Sequence, residues 1–587
     1  MQAADLPRHP RLIATNDQFP TIDDRCRSDP LMARLRRIVL DTADRAHAKR
    51  PCAYLIPDGR RLLHESRRAL DTVLHTAMAW KLTGDRRHVD RCVVELDAAC
   101  GLPDWHPPHF LDTAEMATAV AIGLDWLHDE LDPDQRARYR QALLDKAIRP
   151  ARESVEQNAP WTRVRNNWSQ VCATGIGMAI VASAVEPKDL DDPLLAECRR
   201  IIEASTRFYE PDGCYPEGPS YWDYGTSYQV LGLILLHTLH GEAPLPDALL
   251  RGPSFMAHAR GPSGTLFNFA DAPPRRDRVV AARGWLAARC DDPAIVADLR
   301  DQLESLAPAL EIEGTNDRFF PLHLLWLPGP PNAAAVLPLA AAFRGEQPMA
   351  AFRTSWRDPD ALFLAVKGGT PGASHGHMDV GSFVVEWGGR RWIHDLGSDD
   401  YNLPGYFSRE RWTYFRVNSR SHNVPMIDGA LQNPACVPCP LVAEVDAQPF
   451  RAHVDLSSAY QLRDQTLATT VTRDIAFDAS RRTIHVRDLF TDAAGSVRWQ
   501  VLVDVKPVID GHRAVLRDGA RAIELTILAE TSDHASIAWQ VEAATPPTPR
   551  ERSNDGFHLL SFTLPSAERV VADVAIHPRD SEAEPSR

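Results

Sequence analysis

The chain has no long apolar run. Its longest, VLGLILLHTL at 230–239, is interrupted by Gly and His, well short of the roughly 20 residues that cross a bilayer. The N-terminus, MQAADLPRHPRLIATNDQFP, lacks the apolar core and cleavage site of a leader. The expected location is therefore the cytoplasm, or the periplasm or exterior if a leader was removed. Positive charge is not in excess. The net charge of -14 argues against a general nucleic-acid or anionic-membrane binder. Disulfide grammar is lacking too: ten cysteines are scattered, and Cys92, Cys100, Cys172, Cys198 and Cys290 fall in helix-like text, as buried free thiols of a reducing compartment would. The CVPC at 436–439 has no second pair, so a zinc ribbon is not expected. No fixed repeat period is visible, which excludes short helical arrays such as TPR or HEAT.

What is present is ordinary globular composition, 44% hydrophobic and 25% charged over 587 residues, enough chain for two to four domains. From about 30 to 310 the text is helical. PLMARLRRIVLDTADRAHAKR, RRALDTVLHTAMAWKLTG, AEMATAVAIGLDWLHDEL and PDQRARYRQALLDKAI repeat apolar residues at three and four, the spacing of one helix face. Gly84 stops one helix, and Pro133 with Asp134 opens another. Short joints between many helices imply hairpins packed as a bundle, solenoid or closed α/α toroid. Three prolines and a glycine in LWLPGPP at 325–331 mark a linker. After it, ALFLAVKGG, GSFVVEWGGRRWIHDLG, TTVTRDIAFD, RRTIHVRDLFT, VRWQVLVDV, AIELTILAE and ASIAWQVEA are short β-rich runs between turns, the grammar of a large antiparallel sandwich. The predicted organisation is a helical domain over 1–325, a linker over 326–340 and an antiparallel β-sandwich over 341–587, with SEAEPSR as a frayed tail.

Three segments carry chemistry. In VRNNWSQVCATGIGM at 164–178, Asn166 or Asn167 would cap the following helix. The same amides, beside Arg163, Arg165 and Trp168, also suit a carboxylated sugar, because an amide donates to a carboxylate and an indole stacks on a pyranose. In DGCYPEGPSYWDYGTSYQ at 212–229, Tyr215, Tyr221, Trp222, Tyr224 and Tyr228 gather where a helix begins, with GTSYQVLGLILL as its start. Most such aromatics pack, but positive surroundings near a helix N-terminus favour a phenolate. The third is SHGHMDVGSFVVEWGGRRWIHDLGSDDY at 374–401 with RVNSRSHN ending at Asn423. SHGHMDV resembles the edge of a strand, which would put His375 and His377 on one face. His377, Asp395 and His422 form a set that zinc accepts with water as fourth ligand, and Asp379 is an alternative. A cupin would need a glutamate where Gly381 stands. Between these pieces lie Arg409, Arg411, Arg416 and Arg420 with Tyr401, Tyr406 and Tyr414, either a solvated face or forks for carboxylate or sulfate groups.

Helices first, strands second and these segments in this order, above all SHGHMDVGSF…WIHDLG…RSHN, resemble the heparinase II/III-like polysaccharide lyases. The resemblance implies an incomplete α/α toroid followed by a β-sandwich, acting by β-elimination on a uronic-acid-containing anionic oligo- or polysaccharide: heparan, heparin, chondroitin, hyaluronan or alginate. It implies catalytic roles for Asn167, with Asn166 as its neighbouring alternative, and for Tyr224 and His375, with Tyr414 or Tyr406 reaching in from the arginine-rich loop. Asn166, Trp168, Arg165, Glu217, Tyr221, Trp222, Tyr406, Arg416 and Arg420 are expected to bind substrate. His377, Asp395 and His422 would hold a structural divalent metal, usually zinc. Some members carry a histidine directly after the asparagine, where this chain has Trp168, which leaves Tyr224 and His375 as the preferred pair. Neither nucleic acid nor membrane is an expected partner, and a homodimer is left open. The competing readings are a glycoside hydrolase, which would need two paired carboxylic acids drawn from Glu217, Asp223 and Asp112, and a non-catalytic carbohydrate-binding protein.

Overall fold

A computed structural model describes residues 6–331, 335–463, 465–528 and 537–580; the tail SEAEPSR lies outside them. The chain divides into two compact units. One comprises Met1–Phe208, Asp223–Pro253 and Arg278–Ala335, the other Tyr209–Trp222, Ser254–Asp277 and Val336–Arg587. Two segments of the helical half thus belong with the strands.

The first unit is helical because its text is punctuated for helices. Asp29, Asp132, Asp192 and Asp292 each precede a proline and cap the helices Pro30–Ala46, Pro133–Leu143, Pro193–Ser205 and Pro293–Glu313. The carboxylate satisfies first-turn N–H groups, and proline at the first position forfeits no hydrogen bond. Gly84 ends Leu63–Thr83 in the left-handed region, where a residue without Cβ is at ease. Phe110–Trp126 is buried on every side and Asn167–Ser183 everywhere except Trp168, as expected of central helices. These two pack on each other, closely enough that a Cβ on Gly175 would lie 2.5 Å from the Ala114 carbonyl oxygen. No helix among the described residues is long and apolar enough to cross a membrane.

Among the described residues the second unit holds three antiparallel sheets, of five, eight and four strands. Thr470–Asp478 and Thr483–Thr491 alternate buried and less buried residues, so one face of this hairpin, Phe477 included, joins a core with Trp499 and Phe352. Strands Phe363–Lys367 and Phe383–Trp387 are buried throughout.

Interior polar residues hold the histidine segments against these sheets. Arg473 pairs with Asp488 on the neighbouring strand, both side chains fully buried, and its Nη1 donates to the carbonyls of Gly381 and Asn423 at 2.6 Å each. Asn423 Nδ2 donates to the carbonyls of Phe383 and His394, while its Oδ1 accepts the Leu502 N–H. Gln500 donates to the carbonyls of Ser419, Arg420 and His422. Buried backbone groups that enter no ladder are thereby satisfied.

Candidate functional site

In the strand unit, a buried carboxylate gathers the histidines. Asp271 Oδ2 lies 2.6 Å from His375 Nδ1, and its Oδ1 lies 3.0 Å from His377 Nε2. Oδ1 also accepts the Tyr406 hydroxyl at 2.7 Å, with Arg411 Nη2 at 3.4 Å. SHGHMDV is therefore not extended. It is a turn, with His375 at φ 60°, and the two imidazoles converge on one carboxylate because the chain folds back. Gly376 between them is obligatory, since a Cβ there would meet the Pro371 carbonyl oxygen at 2.3 Å. Burial opposes ionisation of Asp271, but hydrogen bonds from His375 and His377 and the Arg411 charge outweigh it, holding the carboxyl well below its ordinary value. The His375 ring is stacked under Tyr221, centroids 4.1 Å apart, and its Nε2 faces Glu217 at 3.5 Å. Glu217 also accepts from Ser374 Oγ at 2.9 Å.

Beside this cluster, His377, Asp379 and His422 place one ligand atom each within 4.8 Å of one another. His377 is committed through Nε2 to Asp271, and His422 through Nδ1 to Asp395 at 2.8 Å. Each imidazole thus directs one N–H at a carboxylate and keeps the opposite nitrogen bare, the arrangement typical of metal-binding histidines. His377 Nδ1, Asp379 Oδ2 and His422 Nε2 are all buried without a hydrogen-bond partner among the described residues. Orphaned acceptors of this kind are costly unless a cation or water meets them, so this donor set fits a divalent ion. Asp395, expected as a ligand, instead has one oxygen on His422 and the other on the Gly397 N–H. Asp379, the alternative, occupies its place in the trio.

The helical unit carries a second cluster. Glu115 accepts from Arg67 at 2.9 Å, Arg318 at 2.7 Å and the Tyr228 hydroxyl at 2.8 Å. The two guanidiniums lie 4.6 and 5.4 Å from the centre of the Tyr224 ring. Burial, reinforced by Glu115, nevertheless pushes the Tyr224 phenol well above its ordinary value despite the arginines. The positive surroundings foreseen for this tyrosine are present, but they do not yield a phenolate. Asn166 is the helix cap, accepting the Trp168 N–H at 3.0 Å. The cap is thus supplied by one asparagine, and Asn167 is the buried first residue of the helix.

The remaining expected residues divide. Tyr406 sits in the Asp271 cluster, whereas the Tyr414 hydroxyl donates to the Pro404 carbonyl. Tyr221 stacks on His375, but Trp222 is buried outright. Arg416 is used internally, donating to Asn554 Oδ1 and the carbonyls of Leu396, Ser398 and Ser553. Arg420 is exposed, and so is Arg165, whose guanidinium lies 6.0 Å from the Phe208 ring centre. The helix expected to begin at GTSYQ starts earlier, at Pro219. All ten cysteines are free thiols, and Cys439 Sγ lies 3.2 Å from Ser458 Oγ. Sequence reading missed Asp271, which carries no signal in NFADAPP, and missed Glu115, which stands in ordinary helix text.

Residues 348–580 match the family described as heparinase II/III-like, C-terminal. Among solved structures, the chain is similar to heparinase III, with TM-score 0.62 and 12% identity over 90% of this chain and 78% of that one. It is also similar to the heparinase III BT4657 gene product (TM-score 0.61, 13% identity, 89% and 78% covered). A mutant of the heparan sulfate lyase HepC from Pedobacter heparinus gives TM-score 0.59 and 14% identity, with 89% and 78% covered. No curated protein sequence matches the chain significantly. The chain shares its fold, helices followed by antiparallel sheets, with these heparinase III structures, and residues 348–580 match the heparinase II/III-like C-terminal domain. SHGHMDVGSF and RSHN both lie within the matched residues 348–580.

Proposed function

We propose that this chain cleaves a uronic-acid-containing polysaccharide or oligosaccharide, a glycosaminoglycan or alginate, by β-elimination, leaving a 4,5-unsaturated uronate. The observation that carries this reading is the Asp271 cluster, which lodges the SHGH histidines of the matched domain on a buried carboxylate. Elimination requires the substrate carboxylate to be neutralised, the C5 proton removed and the leaving oxygen protonated. The Asn167 amide suits the first task as a donor to the carboxylate. Tyr224, whose phenol is kept protonated by burial, suits the third. His375 is oriented by Asp271 and faces Glu217, so a carboxylate stands beside each of its ring nitrogens.

On this reading His377, Asp379 and His422 hold the divalent ion, zinc by their nitrogen-rich set. When bound, it supplies fixed positive charge that ties the histidine turn to the RSHN segment. The carboxylates a hydrolase would pair are each engaged: Asp112 with His109, Asp223 with Arg283, and Glu217 with Ser374.

The test is ultraviolet absorbance after incubation with heparan sulfate, heparin, chondroitin, dermatan, hyaluronan and alginate, each as polymer and oligosaccharide. A rise with one of them is expected and names the substrate. New reducing ends without absorbance would replace the lyase by a hydrolase, and neither signal would leave a binding protein.

A further inference from the structure

The lyase reading leaves the C5 proton without an obvious acceptor, because Tyr224 keeps its own proton and His375 is turned toward carboxylates on both sides. The helical unit contains a histidine better suited to that task. His109 Nδ1 lies 2.6 Å from Asp112 Oδ1, and the other oxygen of Asp112 accepts the Leu62 N–H at 2.6 Å. Asp112 is fully buried and has both oxygens committed, so it acts as a fixed acceptor. A carboxylate so placed holds the imidazole in the tautomer with hydrogen on Nδ1 and the lone pair on Nε2. That Nε2 makes no hydrogen bond among the described residues, and the side chain remains 21% exposed. By contrast His9, held by Asp125 at the same 2.6 Å, has its Nε2 bonded to Arg11.

Position adds to orientation. The His109 ring meets the Trp168 indole edge-on, centroids 4.9 Å apart at 78°. Trp168 directly follows Asn167 and is the residue of its helix that is not buried. His109 immediately precedes Phe110–Trp126, which packs against Asn167–Ser183.

We infer that His109 is a further catalytic residue, the general base that takes the C5 proton, with Asp112 as its positioning residue; the inference rests on the lyase reading above. The Nε2 lone pair accepts the proton from C5. The C–H bonding pair becomes the C4–C5 double bond, the C4–O bond breaks, and the leaving oxygen takes the Tyr224 phenolic proton. Imidazolium and phenolate then return to their starting states by net transfer of one proton, so no further reactant is consumed.

The experiment follows unsaturated-uronate absorbance on whichever polymer of the panel the wild-type protein cleaves. His109→Gln is expected to lower kcat by about 10²–10⁴, with the melting temperature and near-ultraviolet circular dichroism of the wild type. His109→Ala should regain part of the lost rate on addition of imidazole, which a purely structural role would not produce. Asp112→Asn should lower kcat with little change in KM. An unchanged kcat in His109→Gln, or a loss in His109→Ala that imidazole does not restore in folded protein, overturns the inference while leaving the lyase reading intact. A wild-type protein that releases no unsaturated product from any polymer overturns both.

Discussion

Glu115 in the helical unit and Asp271 in the strand unit are both fully buried carboxylates, yet their surroundings differ in kind. Glu115 is met by two guanidiniums and a phenol, and Asp271 by two imidazoles, a phenol and a more distant guanidinium. Guanidiniums keep their charge at any pH a protein survives, whereas imidazoles exchange protons near neutrality. The first arrangement therefore fixes an electrostatic background around Tyr224. The second ties its carboxylate to groups that also serve other partners, since His377 belongs to the candidate cation trio and His375 faces Glu217.

Asp271→Ala would strand two imidazoles, a phenol and Arg411, and removing one partner of a buried charged network costs about 3–5 kcal/mol; denaturant unfolding should show that loss together with lost cleavage. Tyr224→Phe comes next, with kcat expected to fall by about 10²–10⁴ and stability nearly kept, read by the same absorbance assay. A variant that cleaves at the wild-type rate would remove Tyr224 from the chemistry. His422→Ala should abolish the bound divalent ion in elemental analysis, while Asp395→Asn, which alters only the group orienting His422, should weaken ion affinity by about 10–100-fold.

Glu115 sharpens the contrast through pH. Burial alone would raise its pKa, but Arg318 and Arg67 outweigh burial and hold it below the ordinary value. Its ionisation therefore contributes stability that is fully present above the unfolded carboxyl's pKa and lost as pH falls through the folded one. Glu115→Gln should flatten the acid limb of stability against pH. The smallest effects belong to the arginine-rich loop. Arg416→Ala should cost about 1–3 kcal/mol through unsatisfied partners, whereas Arg420→Ala should leave unfolding unchanged and shift only the KM for an anionic polymer and its salt dependence.

What the sequence disclosed follows from how local each signal is. Helices announce themselves because Asp29-Pro30, Asp132-Pro133 and their like act within one turn, and strands such as Thr470–Asp478 because alternation is written along the chain. The histidines of SHGHMDV and RSHN were recognisable as residue types, but their geometry was not. Whether His375 and His377 share a strand face or a turn depends on Asp271, over a hundred residues earlier, at a site preceded by Ala270 in a left-handed conformation that alanine does not advertise. Asp379 and Asp395 likewise exchanged expected places because one oxygen of Asp379 is left bare while both of Asp395 are occupied, a distinction no spacing rule contains. Arg416 reads as a surface fork only until its four partners are known.

Arg473 reaches from its strand to the carbonyls of Gly381 and Asn423, so the segments bearing the histidines are anchored to the hairpin Thr470–Thr491 although they form no ladder there. Their amide protons should then exchange with solvent on the slow clock of that hairpin, not on the fast clock of surface turns. Arg473→Lys, which cannot span both carbonyls and Asp488 at once, would uncouple the two clocks, letting the histidine turn open while the sheet stays closed.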